Sequence, residues 1–252
     1  MSQIYDALRK AGGEEPRRSG DSSEPRAGLT PRGRLTSRLL GEPDRELLAD
    51  VDGLRQGLEG MLGGSPRRVV GFAGSVVGEG ATTLSVHLAH LLASAAGRRV
   101  LLVDADMSRS STGLSSAIGE RVGLAEVLRR QTPLEEALLA TEDAGLHFLP
   151  AGKDGVHHVE AASTGAVKPL IDQLGAAYDW VIVDLPPVLR HAETRAIGSV
   201  CTGIVLVVRG NRTPRAFAQR ATRELNLSRC VVLGCVLNAR KESLPRSLRE
   251  RI

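Results

Sequence analysis

The ten residues Gly74-Ser-Val-Val-Gly-Glu-Gly-Ala-Thr-Thr83 (GSVVGEGATT) decide how this chain folds. An apolar run, RVVGFA at 68–73, leads into them, and a helical pattern leads away. A strand that turns through glycines into a helix points backbone N–H groups and the helix N-terminus at anionic oxygens, and glycine lets the backbone come close to them. Gly78, Gly80 and the helix opening at Thr82 supply that geometry. Glu79, Ala81 and Thr83 complete the candidate nucleotide-binding set. Loops of this kind carry a lysine and then a hydroxyl that holds Mg²⁺. Thr82 has the hydroxyl, but Ala81 stands in the lysine's place. A Gly-rich turn is weak testimony alone, because tight turns need glycine anyway.

Two further stretches strengthen the reading. LLVDAD at 101–106 ends a strand pattern in two carboxylates, Asp104 and Asp106, and VIVDLPP at 181–187 ends another in Asp184. Ligands in open α/β sheets collect outside the carboxyl ends of the strands. All three aspartates therefore converge on the rim that carries the Gly-rich loop. There Thr82, Asp104 and Asp184 are the candidate Mg²⁺ ligands, directly or through water. Each aspartate taken singly reads equally well as a cap or turn residue.

Around these motifs the chain alternates apolar runs with helical patterns, which predicts an α/β fold: a mostly parallel sheet with helices on both faces. Strands are expected over 68–73, 100–104, 146–149, 180–184, 203–208 and 230–237. Helices are expected over 82–96, 124–130, 133–140, 167–177, 194–200 and 214–225. Before this core, Leu47, Leu48, Val51, Leu54, Leu58, Met61 and Leu62 keep helical spacing. That stripe serves intramolecular packing or an oligomer contact. Residues 13–43 are rich in Pro, Ser, Gly, Glu and Arg, a composition that cannot offset the entropy of ordering, and read as a linker. Residues 1–12 put Ile4, Ala7, Leu8 and Ala11 on one face of a helix too short to stand alone, so it is expected to dock. The core then spans 44–239, and 240–252 form a basic tail that is either solvated or attracted to an acidic partner or anionic lipid.

Composition narrows the functional classes. Of 252 residues, 42% are hydrophobic, enough for a packed core, and only 2% are aromatic, which argues against stacking platforms for nucleic acid. The net charge of +4 is concentrated partly in the tail. Cys201, Cys230 and Cys235 lack metal-ligand spacing and read as small core residues of a reducing compartment. No apolar run approaches the roughly 18 residues of a membrane span, and no signal-peptide pattern opens the chain. A cytoplasmic protein is expected, with any membrane role borrowed from a partner. His157-His158 has no third ligand nearby and reads as a loop.

At GEGATT (78–83), VDADMSR (103–109) and YDWVIVDLPP (178–187) the sequence resembles the bacterial tyrosine kinase family of capsule and exopolysaccharide systems, whose cytoplasmic domain is a modified P-loop ATPase. GLAEVL (123–128), LPAG (149–152), LVVR (206–209) and LGCVLN (233–238) extend the resemblance over 44–239, and the opening MSQIYDALRKA is similar to that of members serving exopolysaccharide loci. The resemblance implies a P-loop NTPase-like fold, ATP and Mg²⁺ as cofactors, Asp104 and Asp106 as catalytic residues, and Asn238 near the adenine. It also implies a membrane-embedded polysaccharide chain-length-control protein as partner, recruitment to the inner face of the membrane, and assembly into a homo-oligomer.

The departures shape the expected function. Ala81 replaces the lysine, Ser108 stands where the family's second motif has an arginine, with Arg109 one place later, and the family's Glu-x-x-Arg-x-x-Arg helix pattern keeps only Arg55 beside Ala49 and Asp52. The tail has no tyrosine, and the chain has only Tyr5 and Tyr178. A hydrogen bond to a charged group contributes about 1.5–3 kcal/mol, roughly ten- to a hundredfold in affinity. A donor aimed at developing charge is worth about 10²- to 10³-fold in rate. The expected protein is therefore a tyrosine-kinase-like regulator with weak or absent ATP binding and impaired catalysis. Its alternatives are an active tyrosine kinase, with Arg109, Lys153 or a neighbouring subunit supplying the cation, and a positioning ATPase related to partitioning proteins. The latter carry an extra lysine early in the loop, where this chain has Ser75 and Val76.

Overall fold

The continuous apolar runs become strands because both faces of the sheet are covered, which asks for side chains without polar atoms on either side. The computed structural model describes residues 45–94, 98–107, 114, 121–153 and 165–239. The expectations for residues 1–12, 13–43 and 240–252, and for Ser108, Arg109 and His157-His158, lie outside them. In chain order the elements are α1 (Arg45–Leu62), β1 (Val69–Gly74), α2 (Ala81–Ser94), β2 (Val100–Asp104), α3 (Leu124–Leu128), α4 (Leu134–Ala137), β3 (Leu139–Ala140), β4 (Leu146–Leu149), α5 (Val167–Ala177), β5 (Trp180–Leu185), α6 (Ala192–Gly198), β6 (Gly203–Arg209), α7 (Arg215–Leu227) and β7 (Val232–Asn238).

Seven strands form one sheet in the order β3-β4-β2-β5-β1-β6-β7. Every pairing is parallel except β3 with β4. β5 lies between β1 and β2, so the chain crosses over it and leaves a crevice at the carboxyl ends of these strands. The Gly-rich stretch occupies that crevice.

Alternation along the strands divides the core in two. Val69, Leu101, Val103, Val181 and Val183 face a layer built from α3, α5, α6 and α7. Val70, Phe72, Leu102, Trp180 and Ile182 face α2, whose Leu84, Leu88 and Leu92 pack onto them. The leading helix α1 closes over α2 with Val51, Leu58 and Leu62 buried and Leu47 and Leu54 partly so. Each fully buried side chain of this size contributes about 1.5–3 kcal/mol, so most of the stripe serves intramolecular packing. Leu48 and Met61 alone in that stripe remain exposed. An Asp52–Arg55–Glu59–Arg98 chain of ion pairs, with distances of 2.6–2.8 Å, runs along the helix surface. Arg55, the family-pattern residue, is thus paired within its own chain.

Several expectations need correction. The helix expected over 133–140 stops at Ala137, because Leu139 and Ala140 pair with Phe148 and His147 as a short antiparallel edge strand. The last strand begins at Val232 rather than 230, since Cys230 takes part in the turn that closes α7. Cys201 and Cys230 are buried as expected, but Cys235 is exposed, because β7 is an edge strand with part of its surface uncovered by described residues. Tyr178 packs at the start of its strand, 4% exposed, and burial pushes its phenol pKa up. Arg68 lies 5.5 Å over the Trp180 ring.

Candidate functional site at the carboxyl rim of the sheet

The Gly-rich loop leaves β1 at Gly74 and enters α2 at Ala81, where the Leu84 N–H donates to the Gly80 carbonyl at 3.0 Å to start the helix. Gly78 (φ +83°) and Gly80 (φ +93°) adopt the left-handed conformation that side chains resist. At Gly80 a Cβ would also lie 2.0 Å from Asn238 Nδ2, so that amide would have to shift from its bond to the Glu79 carbonyl.

Glu79 anchors the loop from within. Its side chain turns inward, 2% exposed, and its carboxylate accepts hydrogen bonds from the Ser75 hydroxyl (2.8 and 3.0 Å), the Val76 N–H (2.8 Å), the Arg209 N–H (3.4 Å) and the Thr213 hydroxyl. Its carbonyl accepts from Asn238 Nδ2 at 2.8 Å, and Asn238 Oδ1 accepts from the Ala239 N–H at 2.8 Å. These contacts tie the loop to the ends of β6 and β7. They also supply the hydrogen-bond partners that a buried carboxylate needs. Arg209 adds a second tie, its Nη1 donating to the Gly78 carbonyl at 3.2 Å.

Across the crevice Asp104 and Asp184 are direct partners in the β2–β5 register. Leu102 and Ile182, two residues earlier, face α2, so alternation puts both carboxylates on that same face. Asp104 is buried and its Oδ1 accepts from the Asp106 N–H at 3.0 Å. Asp184 is 1% exposed, and neither of its oxygens receives a hydrogen bond of good geometry. Burial first, then the charges of Asp104 and Asp106, hold the Asp184 carboxyl well above the usual carboxylate range. The Thr82 and Ser85 hydroxyls lie close enough to oppose that shift, but Ser85 gives its proton to the Thr82 carbonyl at 2.9 Å instead.

Two adjacent buried carboxylates, one with unsatisfied oxygens, suit a hard cation. No group of three or more His, Cys, Asp or Glu among the described residues is arranged to hold a metal by itself. Mg²⁺ fits this set because it keeps several waters and is commonly held by one or two carboxylates plus phosphate oxygens. Thr82, in the first turn of α2, is half-buried, and Thr83 is exposed. The loop and the two strand ends thus bring Gly78, Gly80, Ala81, Thr82, Asp104 and Asp184 to one rim, while Asn238 holds the loop from β7. The Lys153 backbone N–H donates to Glu126 Oε1 at 3.0 Å, which fixes that candidate cation's main chain beside α3. Sequence reasoning assigned no site role to Arg209 and Thr213, because their approach to the loop depends on β6 lying beside β1.

Residues 67–212 match the family described as AAA domain. The tyrosine-protein kinase YwqD of Bacillus subtilis (strain 168) is 33% identical over 166 residues, covering 66% of this chain and 70% of that protein. The succinoglycan biosynthesis transport protein ExoP of Rhizobium meliloti (strain 1021) is 29% identical over 80% of this chain, which spans only 26% of ExoP's length. The solved BceF tyrosine kinase domain superposes with a TM-score of 0.70 at 28% identity, covering 81% of each chain.

Proposed function

Because the chain belongs to the bacterial tyrosine-protein kinase family, with an AAA domain over 67–212, we propose that it is a kinase-like regulator of exopolysaccharide or capsule synthesis that binds nucleotide weakly and transfers phosphoryl groups poorly or not at all. One observation carries the reading. The carboxylate pair Asp104–Asp184 and the Gly-rich loop are in place, while position 81, at the first turn of α2, holds alanine.

In this reading the loop N–H groups bind the phosphates of ATP, and Thr82, Asp104 and Asp184 hold Mg²⁺, with Asp106 beside them. Bound Mg²⁺ neutralises charge on the phosphates. Asn238 acts on the nucleotide through the loop that it holds. Phosphoryl transfer depends almost wholly on positioned charge, so the absent lysine falls mainly on the rate. The acceptor side is poor too, since Tyr178 is buried.

The working partner is a membrane-embedded chain-length-control protein, engaged through residues 1–12, which would hold a cytoplasmic chain at the inner face of the membrane. No helix among the described residues is long and apolar enough to cross a membrane. ExoP, named as a transport protein of succinoglycan biosynthesis, supports placing the domain beside polymer export. Phosphotyrosine mass spectrometry after incubation with Mg-ATP tests the catalytic part. The expected result is no modified tyrosine. Stoichiometric phosphate on Tyr5 or Tyr178, abolished by Asp104→Ala, would show an active kinase.

A further inference from the structure

We propose that Arg209 partly stands in for the cation that position 81 lacks, its guanidinium contacting the phosphates of a bound nucleotide from the β6 side of the loop, less closely than a lysine at position 81 would. The inference rests on the nucleotide-binding reading and concerns a residue outside the Gly-rich loop.

The sheet places it there. β6 pairs with β1 in a register that sets Val207 beside Gly74, so Arg209, two residues further on, stands past the end of β1 and alongside the loop. Its main chain is fixed from two sides. The Arg209 N–H reaches the buried Glu79 carboxylate, and its carbonyl end continues into a turn in which the Thr213 N–H donates back to it at 3.0 Å. The side chain then reaches Gly78, where Nη1 donates to the carbonyl at 3.2 Å. Among the described residues no carboxylate forms an ion pair with this guanidinium.

A permanent cation held against a phosphate-type loop, without an ion-pair partner among the described residues, differs from a surface stitch in what it leaves open. One N–H is used on Gly78, and a planar fork of donors remains, matched to phosphate oxygens. The Glu79 carboxylate, which would otherwise compete for that fork, is taken up by hydroxyl and amide donors. Its burial therefore keeps Arg209 available and holds the loop shape with no lysine present.

The test is calorimetric titration of Mg-ATP and of adenosine into wild type, Arg209→Gln, Ala81→Lys and the double variant, with thermal unfolding to confirm that each is folded. Arg209→Gln should weaken Mg-ATP about ten- to a hundredfold, the range of one charged hydrogen bond, and leave adenosine affinity unchanged. In the Ala81→Lys background the same substitution should weaken Mg-ATP markedly less, because another cation already serves. Unchanged Mg-ATP affinity in a folded Arg209→Gln protein would overturn the assignment, as would an equal loss for adenosine. Binding by Ala81→Lys but not by wild type would also overturn it, since Arg209 would then replace nothing. If neither protein binds Mg-ATP, the nucleotide reading itself fails and takes the assignment with it.

Discussion

Replacing Asp184 with asparagine should make the protein more stable, and increasingly so as pH rises. In the native state this carboxyl is 1% exposed, has no hydrogen bond of good geometry and sits beside Asp104. Burial and the neighbouring charge raise its pKa. The unfolded chain titrates near the ordinary value of about 3.9. Between the two values the native state binds more protons than the unfolded one, so stability falls with rising pH. The contribution is fully present below the unfolded value and is lost as pH passes through the raised native one. The replacing amide would stay neutral throughout and could donate to the Asp104 carboxylate. A buried, unsatisfied acceptor costs on the order of 1–3 kcal/mol, and more when charged. At about 2–4 °C per kcal/mol for a domain of this size, the Asp184→Asn variant should melt roughly 2–12 °C higher at neutral pH in EDTA, with the gap closing in acid. Excess Mg²⁺ should raise the wild-type Tm and leave the variant unmoved, since only the wild-type site offers both carboxylates. A lower Tm for Asp184→Asn at neutral pH, or a gap that widens in acid, would refute the argument.

Two other perturbations follow from the loop and the N-terminal segment. Gly80→Ala drives a Cβ toward Asn238 Nδ2 at a residue with φ +93°, so it should lower the Tm and abolish Mg-ATP binding; a wild-type Tm would show that the loop is not clamped by β7. Deleting residues 1–12 should release the protein from membranes that contain its partner, and unchanged co-sedimentation would move the docking contact to the core or the basic tail.

What the sequence disclosed was set by how local each signal is. β2 and β4 coincide with their predicted bounds because each is one unbroken apolar run between turns. Leu139–Ala140 was missed because the preceding residues continue a helical spacing and only pairing with His147 and Phe148 makes this segment a strand. Asp104, Asp184 and the glycines were legible because each stands at the end of a strand pattern. That the two aspartates are side by side required β2 to lie next to β5. Glu79 reads as a nucleotide-loop residue, and what its side chain does in the fold, a buried anchor, was not legible. Its donors at Arg209 and Thr213 come from 130 and 134 positions away in sequence, through an order of strands that no local pattern encodes. Cys235 misled for a related reason: the apolar run around it does not reveal that β7 is an edge.

The central claim is that the site is assembled and lacks only its loop cation. Ala81 is the first residue of α2 and is half-buried above the rim, so a lysine there extends from a helix N-terminus whose glycines are already in position. Calorimetric titration of Mg-ATP into wild type and Ala81→Lys tests this most directly. The account predicts weak binding by wild type and a gain of roughly ten- to a hundredfold in the variant, the range of one charged hydrogen bond. Equal affinities, or no binding by a folded Ala81→Lys protein, would contradict it.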